Sequence, residues 1–319
     1  MDMIKKTLSW LLLTLFFSLT AAAQEEISLA GNWEFRLDQS DQGINEAWYK
    51  QPLGGSIALP GTTDEAKQGT KTVGSDFGIL TRAYKYYGPA WYQCEIDIPK
   101  TWKKKHLYLE LERVMWESQL YIDDKLYTTQ DALCAPHLHD IGTLSPGKHR
   151  ISLRINNDLI HNIGDKGHVY TEYTQSIWNG AVGRVRLIAK DRIALRNPQL
   201  FTALNPNRLT VVDTFTNETG KKQKLHVTFL LTDRQTGKVV FDQTLPYTLN
   251  AGSTPFRYEI KLPAGIKLWN DVDPNLYIFS VALLSRKKVI DAQDIEFGFR
   301  TITTTPSKLL VNEIGRAHV

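Results

Sequence analysis

Short segments in which apolar and polar side chains alternate recur through almost the whole chain after its first two dozen residues. In GNWEFRLD, for example, Trp33 and Phe35 share one face and Glu34 lies on the other. A period of two is typical of half-buried antiparallel strands, and no stretch of convincing length has the helical period. We therefore predict an all-β chain. Further segments of this kind before residue 190 are WYQCEIDIP, HLYLELERV, SQLYIDD, HRISLRIN and GRVRLIA.

The length of 319 residues exceeds what one hydrophobic core usually serves, so we predict two domains. Residues 26–190 fit a jelly-roll β-sandwich, because their strands are separated by turn signals. The segment Arg196-Asn197-Pro198 has the composition of a linker. Residues 196–303 fit an immunoglobulin-like β-sandwich, which has about seven short strands in roughly a hundred residues. Its strand candidates are NRLTVVDTFTN, QKLHVTFLLTD, KVVFDQTLPYTL, FRYEIKL, LYIFSVALLS and DIEFGFRTI.

Residues 1–23 have the pattern of a secretory signal peptide. Lys5 and Lys6 precede an apolar run over residues 8–19, and small residues follow up to Ala23. The apolar run is shorter than the roughly 20 residues that a membrane span needs, and no cysteine follows the cleavage site to carry a lipid. We expect export to a bacterial periplasm or beyond, with no membrane span.

Charge and cysteine content exclude some classes of protein. The formal net charge is +4, but the basic runs lie at predicted turns, which argues against nucleic-acid binding. The two cysteines, Cys94 and Cys134, are far apart. Free thiols are favoured, although an exported protein could also form a bridge between them. No phosphate-binding loop or catalytic sequence motif is present, and we expect no cofactor.

Two groups of residues suggest chemistry but do not establish it. Glu110 and Glu112 on one strand face lie about 7 Å apart, within the range of about 6.5–9.5 Å typical of inverting glycosidases. Leucines occupy the other face, however, so this face is expected to be solvated and the glutamates not catalytic. His137 and His139 form an H-x-H pair, but the spacing selects no third metal ligand. We expect loop histidines near a ligand, with no metal.

The stretch HVYTEYTQSIWNGAVGR (168–184) combines aromatic rings, amides and turn glycines at a strand end. Such a segment suits contact with a sugar, whose C–H faces stack on aromatic rings and whose hydroxyls need fixed hydrogen-bond partners. Core packing of its tryptophan explains the pattern equally well.

Several segments resemble glycoside hydrolase family 2, which includes β-galactosidases, β-glucuronidases and β-mannosidases. LWNDVDPNLY (268–277) and FGFRTI (297–302) are similar to the end of the family's immunoglobulin-like domain. The match follows the family's order over essentially all residues after the signal. Upstream, six segments resemble the family's amino-terminal sugar-binding domain: GNWEFRLD, LPGTTDE, GPAWYQCEIDIP, LERVMWESQLYIDD, APHLHDIG and TQSIWNGAVGRVRL.

The resemblance implies that a (β/α)₈ barrel carrying the catalytic glutamates should follow, and that barrel is missing here. Residues 304–313 would begin the connection to it. A widely used sequencing-library adapter, ATCGGAAGAGCACACGTC, encodes IGRAHV, so we expect residues 314–319 to be a non-native tail. The chain alone is expected to be inactive, with no catalytic residue of its own. The face bared by the missing barrel would favour association, although the sequence leaves the oligomeric state open.

In the family, loops of the first domain approach the mouth of the barrel, which implies a role for this chain in the rim of the sugar pocket. The whole protein would hydrolyse a β-linked glycan, with a β-galactosidase as the first expectation. A freestanding carbohydrate-binding module is the alternative. Tryptophans would stack on the sugar, and polar side chains would form hydrogen bonds with its hydroxyls. The main candidates for substrate binding are Trp116, Glu117, Thr174, Gln175, Trp178 and Asn179. His137 and His139 are weaker candidates.

Overall fold

Two β-sandwiches make up the described part of the chain. The computed structural model describes residues 25–162, 164, 171–173, 177–204, 207–312 and 314–318. Within these residues the chain divides into one unit spanning Glu25–Ala189 and another that begins at Lys190. Apart from the 3-10 turns Trp48–Lys50 and Lys100–Trp102, regular structure in these ranges is β-strand, which confirms the predicted fold class. No helix in the described ranges has the length and apolarity to cross a membrane.

The first sandwich consists of a five-stranded and a six-stranded antiparallel sheet. The five-stranded sheet has the order β1-β13-β8-β11, with β4 also paired to β13, and the other has the order β10-β9-β12-β7-β2-β3. A separate hairpin pairs β5 with β6. The strands are β1 (Glu25–Ser28), β2 (Gly31–Leu37), β3 (Gly55–Leu59), β4 (Gly61–Thr62), β5 (Thr70–Lys71), β6 (Tyr84–Lys85), β7 (Pro89–Ile98), β8 (His106–Arg113), β9 (Glu117–Ile122), β10 (Lys125–Gln130), β11 (His137–Gly142), β12 (Gly147–Asn156) and β13 (Gly180–Lys190).

The second sandwich consists of two four-stranded antiparallel sheets, close to the seven to nine strands in two sheets of an immunoglobulin-like fold. One has the order β14-β16-β15, with β19 also paired to β16, and the other has the order β18-β17-β20-β21. A three-stranded sheet follows them. The strands are β14 (Ile193–Leu195), β15 (Gln199–Leu204), β16 (Asn207–Asn217), β17 (Gln223–Asp233), β18 (Val239–Leu249), β19 (Gly252–Lys261), β20 (Tyr277–Ser285), β21 (Lys288–Phe297), β22 (Ile302–Thr305), β23 (Lys308–Val311) and β24 (Ile314–His318).

Alternation in the sequence builds both cores. In the first sandwich, Trp33 and Phe35 of β2 are buried together with Leu107, Leu109 and Leu111 of β8. In the second, aromatic rings lie among aliphatic side chains, and the ring of Phe229 stacks on that of Phe279 at 5.8 Å. Because each sheet contributes one apolar face, neither core needs a disulfide, and both cysteines are unbridged.

Two hairpins illustrate how local sequence fixes the register. Asp123 and Asp124 join β9 to β10, and both have positive φ values, of 46° and 71°. Two successive residues with positive φ form the turn that matches the twist of antiparallel strands. Arg286 and Lys287 make the same kind of turn between β20 and β21, with φ values of 48° and 69°. One of the basic runs therefore lies at a hairpin.

Two expectations from the sequence are wrong in detail. The predicted linker at residues 196–198 lies inside the second unit, between β14 and β15, which both pair with β16. The face of β8 that carries Glu110 is not simply solvated either. Glu110 is buried, because the guanidinium groups of Arg184 and Arg186 lie against its carboxylate. The sequence showed only the alternation on β8 and not the arginines that β13 places beside it.

Candidate functional site

One end of the first sandwich collects most of the predicted site residues. Asn156, at the end of β12, pairs with Pro89 at the start of β7 and with Glu117 at the start of β9. On the other sheet His137, at the start of β11, pairs with Leu111 near the end of β8. We call this region the loop end. It comprises residues 82–88, 114–117, 130–137, 156–162, 171–173 and 177–180.

Trp116 and Trp178 lie in the same apolar cluster at the loop end. Met115 and Trp116 are buried, and Leu133, Ile177 and Trp178 pack against them half-buried. Trp116 is 3% exposed, so in this conformation its ring lies beneath the surface and offers no open face for a sugar. Trp178 keeps part of its ring in solvent. Trp178 is therefore the better placed of the two tryptophans to stack on a pyranose.

Glu117 belongs to an ion-pair chain at the surface. Its Oε1 accepts a hydrogen bond from Arg154 Nη1 at 2.8 Å, and Arg154 Nη2 donates to Asp41 Oδ1 at 2.6 Å. The side chain of Arg154 is 5% exposed, whereas those of Glu117 and Asp41 are 22% and 60% exposed. The buried guanidinium holds the Glu117 carboxylate at the surface, where it can still accept from a ligand hydroxyl.

His137 and His139 lie in β11, and the expectation that they are loop residues is wrong. Both are fully buried, and a continuous series of hydrogen bonds accounts for all four of their ring nitrogens. His137 Nε2 donates to the carbonyl of Ala132 at 2.7 Å, so its Nδ1 accepts from Ser118 Oγ at 2.6 Å. His139 Nε2 then donates to Ser118 Oγ at 2.8 Å, and its Nδ1 accepts from Thr128 Oγ1 at 2.6 Å. The Ser118 hydroxyl thus donates once and accepts once.

Burial explains why this network is neutral. It lowers the pKa of His139 to about 3, with a smaller contribution from His137, and also lowers the pKa of His137. The network joins β9 and β10 of one sheet to β11 of the other, at the edge of the sandwich. In this conformation the two histidines face no solvent, so they support the loop end from within.

Asn179 is also committed to the protein interior. It is fully buried, and its Oδ1 accepts from the hydroxyl of Tyr92 at 2.7 Å. Its Nδ2 donates to the carbonyls of Gly88 at 2.9 Å and Ile155 at 3.1 Å. Asn179 therefore fastens the start of β13 to β7 and β12. Thr174 and Gln175 lie outside the described residues.

The loop end contains a polar cluster that the sequence did not predict. Arg82 Nη2 donates to Glu172 Oε1 at 2.5 Å, and the hydroxyl of Tyr87 donates to the same oxygen at 2.5 Å. The guanidinium carbon of Arg82 lies 5.1 Å from the centre of the Tyr87 ring. Tyr87 and Tyr173 are 47% and 76% exposed. Ninety positions separate Arg82 from Glu172, and no local pattern could have indicated their contact.

Glu110 and Glu112, the glutamate pair on β8, are engaged in stabilising contacts. Glu112 Oε2 accepts from the backbone N–H of Arg184 at 2.8 Å, and this bond lowers the pKa of Glu112. Together with the ion-paired Glu110, it forms part of an outward-facing charge network on β8 and β13. No cluster of three or more His, Cys, Asp or Glu side chains that could hold a metal occurs among the described residues.

Sequence comparisons connect the chain with known glycosidases. The family model described as Glycosyl hydrolases family 2 matches residues 202–300, which lie in the second sandwich. A putative β-glucuronidase of Formosa agariphila is 25% identical over 89% of this chain and 26% of its own length. The β-glucuronidase of Mus musculus is 22% identical over 93% of this chain and 48% of its own length. The chain thus spans between about a quarter and a half of these relatives.

Solved structures agree on the fold. A Bacteroides uniformis β-glucuronidase superposes with a TM-score of 0.73 at 18% identity, covering 91% of this chain and 34% of that one. A putative β-galactosidase from Bacteroides fragilis superposes with a TM-score of 0.74 at 16% identity, covering 92% of this chain and 44% of that one. Both likenesses extend across the two sandwiches.

Proposed function

Because the chain belongs to glycoside hydrolase family 2, we propose that it forms the non-catalytic, amino-terminal part of an exported β-glycosidase. In this proposal a catalytic barrel follows the second sandwich and carries the two catalytic glutamates. The loop end of the first sandwich supplies part of the rim of the sugar pocket. The observation that carries the proposal is the concentration of half-buried or exposed aromatic and polar side chains at that one end.

The roles follow from burial and hydrogen bonding. Trp178 stacks on a pyranose, and Glu117 accepts a hydrogen bond from a sugar hydroxyl. Thr174 and Gln175 are proposed to bond further hydroxyls. The buried members of the predicted set support the rim from beneath: Trp116, His137, His139 and Asn179. Fold likeness alone does not assign such roles, so each depends on the site itself.

The proposed reaction is hydrolysis of a terminal β-linked sugar with retention of configuration. Two carboxyl groups about 5–5.5 Å apart perform this chemistry through a glycosyl-enzyme intermediate. We place both in the barrel. The names of the relatives favour a β-glucuronide as the substrate, and the B. fragilis structure keeps the β-galactoside expected from the sequence as the second candidate.

Turnover of aryl β-glycosides tests the proposal. The isolated chain should release no aryl alcohol from nitrophenyl β-glucuronide or β-galactoside above buffer. The product of the gene extended beyond the codon for Asn312 should hydrolyse one of them, and Trp178→Ala in that product should raise KM more than it lowers kcat. Hydrolysis by the isolated chain that follows the protein through purification would contradict the proposal, as would an inactive extended product.

A freestanding carbohydrate-binding module is the second candidate. It is favoured by the exposure of Tyr87 and Tyr173 at the loop end, which a sugar could cover without a barrel. A native stop codon after Asn312, with sugar binding by the isolated chain, would support the module. A continuing reading frame with barrel strands would support the glycosidase.

A further inference from the structure

The polar cluster at the loop end contains an unusual concentration of unsatisfied atoms. Arg82 Nε, Arg82 Nη1 and Glu172 Oε2 are all buried and have no hydrogen-bond partner. The side chain of Arg82 is 3% exposed and that of Glu172 is 17% exposed. A buried polar atom without a partner loses its hydration and gains nothing in return, so native proteins rarely leave one unpaired. Three such atoms on one ion pair indicate a missing polar partner.

From these atoms we infer that Arg82 and Glu172 form a binding site for two neighbouring hydroxyl groups of a pyranose. The inference rests on the proposed function, because it adds a polar subsite to the same sugar-binding end. One hydroxyl would donate to Glu172 Oε2 and accept from one Arg82 N–H. The adjacent hydroxyl would accept from the other Arg82 N–H. A hydroxyl can donate and accept at once, which the two kinds of unsatisfied atom together require.

The chemistry of the cluster disfavours an anion in the same position. Arg82 and Glu172 carry opposite charges, so the pair is neutral and needs no counter-ion. A carboxylate has no proton to donate to Glu172 Oε2, and both a carboxylate and a phosphate would be repelled by its negative charge. The ligand class is therefore a sugar diol, which galactosides and glucuronides both offer, and the uronic acid carboxylate is expected to lie elsewhere.

Aromatic rings border the site. Tyr87 packs over the guanidinium of Arg82 and shares Glu172 Oε1 with it. Tyr173 follows directly in the chain and is largely exposed. The unsatisfied atoms are buried, so a sugar must displace a covering group to reach them, and the Tyr87 ring, which lies against the guanidinium, is the group that it would move. The displaced ring would then present its face to the C–H side of the sugar.

Calorimetric titration of the full chain with methyl β-glucuronide and methyl β-galactoside tests the inference. Arg82→Lys keeps the charge but replaces the forked guanidinium by a single ammonium nitrogen, and Glu172→Gln keeps the shape but removes the carboxylate. Each should weaken binding of both glycosides about tenfold or more. Arg150→Lys and Glu95→Gln are the matched controls, because both residues pair with other partners away from the loop end. Acetate should not compete with either glycoside.

Three outcomes would overturn the inference. These are no binding of either glycoside by the wild-type chain, unchanged affinity in Glu172→Gln, and a sugar-soaked crystal with only water between Arg82 and Glu172. Glu172→Gln decides the matter if Arg82→Lys fails to fold, which thermal unfolding would reveal. Trp178→Ala weakening sugar binding while Glu172→Gln does not would overturn this inference alone. The proposed glycosidase function is judged separately, by turnover of the extended gene product.

Discussion

The two sandwiches bury polar groups in contrasting ways. The first closes neutral histidines into a hydrogen-bond chain beneath its loop end. The second buries two carboxylates beside residues 195–197, which lie inside that unit. Asp291 Oδ2 accepts from the backbone N–H of Leu195 at 2.7 Å, and Asp213 Oδ1 accepts from that of Asn197 at 2.8 Å. Burial raises the pKa of both aspartates, that of Asp291 to about 6.

This difference matches the roles proposed for the two domains. The neutral histidine network holds the loop end in shape without adding a further charge to the buried guanidinium groups of Arg82 and Arg154 there. Buried carboxylates bind backbone N–H groups strongly and suit a segment that must be held in one conformation. Most buried polar side chains among the described residues lie in the first sandwich, whereas the core of the second consists of aliphatic side chains and six aromatic rings. The second is therefore the more uniform scaffold.

The largest expected effect is at Asn179, which makes three hydrogen bonds across the first sandwich. Asn179→Ala removes all three and leaves the Tyr92 hydroxyl and two carbonyls unpaired in the core. We expect the free energy of unfolding to fall by about 3 kcal/mol. Urea unfolding measures it, with the exposed Asn32→Ala as the control. A loss no larger than that of the control would show that the core does not depend on this amide.

The second effect is acid sensitivity of the first sandwich through His139. Its pKa is lowered to about 3 in the folded state, against 6.5 for the ordinary value. The stability that this histidine provides is thus present above pH 6.5 and is lost as the pH falls towards 3. Between pH 7 and pH 4.5 the loss should be about 2–3 kcal/mol.

Two measurements check this acid sensitivity. Amide hydrogen exchange in β8 should accelerate as the pH-dependent stability falls, after correction for the intrinsic exchange rate. The imidazole signals of His139 in NMR spectra should show the Nε2–H form and no titration above pH 5. Protonation of His139 near pH 6.5 in the folded protein would break the contrast between the two sandwiches.

Much of the fold followed from the sequence, and the reason is physical. Alternation acts over a few residues, so strands such as β16 and β17 were predicted with their observed bounds. Strands β14 and β15 were missed, because one has only three residues and both flank the proline-containing segment 196–198. That segment has a linker's composition, but pairing with β16 determines its place.

The site was harder to predict than the fold because its contacts are distant in sequence. The segment that contains Trp178 was identified from its local density of aromatic and amide residues, and Trp116 was identified from the family resemblance. Whether each ring faces solvent depends on which neighbours the fold brings, and alternation does not reveal that. The Arg82–Glu172 pair shows the limit most clearly: Glu172 lies in the segment 168–184, but Arg82 stands in no motif, and ninety positions separate the two residues.

The third effect has the opposite sign and concerns the second sandwich. Asp291 has a pKa raised to about 6, mainly by burial, from 3.8. Its contribution to stability is fully present below pH 3.8 and is lost as the pH rises through 6. Acid should therefore stabilise the second sandwich through Asp291 while it destabilises the first through His139. Asp291→Asn should reduce this pH dependence by about 1–2 kcal/mol between pH 4 and pH 7.

Hydrogen exchange in β20 and β21, compared between wild type and Asp291→Asn at both pH values, measures this difference. The exchange rates in β8 of the first sandwich serve as the internal control and should be the same in both proteins. An Asp291→Asn protein with the wild-type pH dependence in β20 and β21 would show that this carboxyl does not titrate as its burial indicates.

The smallest effect is expected at Thr228, which forms a polar pair with Thr244 in the second sandwich. Thr228 Oγ1 and Thr244 Oγ1 lie 3.0 Å apart across β17 and β18, and Thr244 is exposed. Thr228→Val should change the free energy of unfolding by no more than about 0.5 kcal/mol, because water can satisfy the remaining hydroxyl. Ser118→Ala in the first sandwich is the matched comparison, since it leaves both histidine partners without their shared hydroxyl. Equal losses in the two variants, measured by urea unfolding, would mean that the hydrogen bonds of the histidines contribute no more to stability than the bond between Thr228 and Thr244.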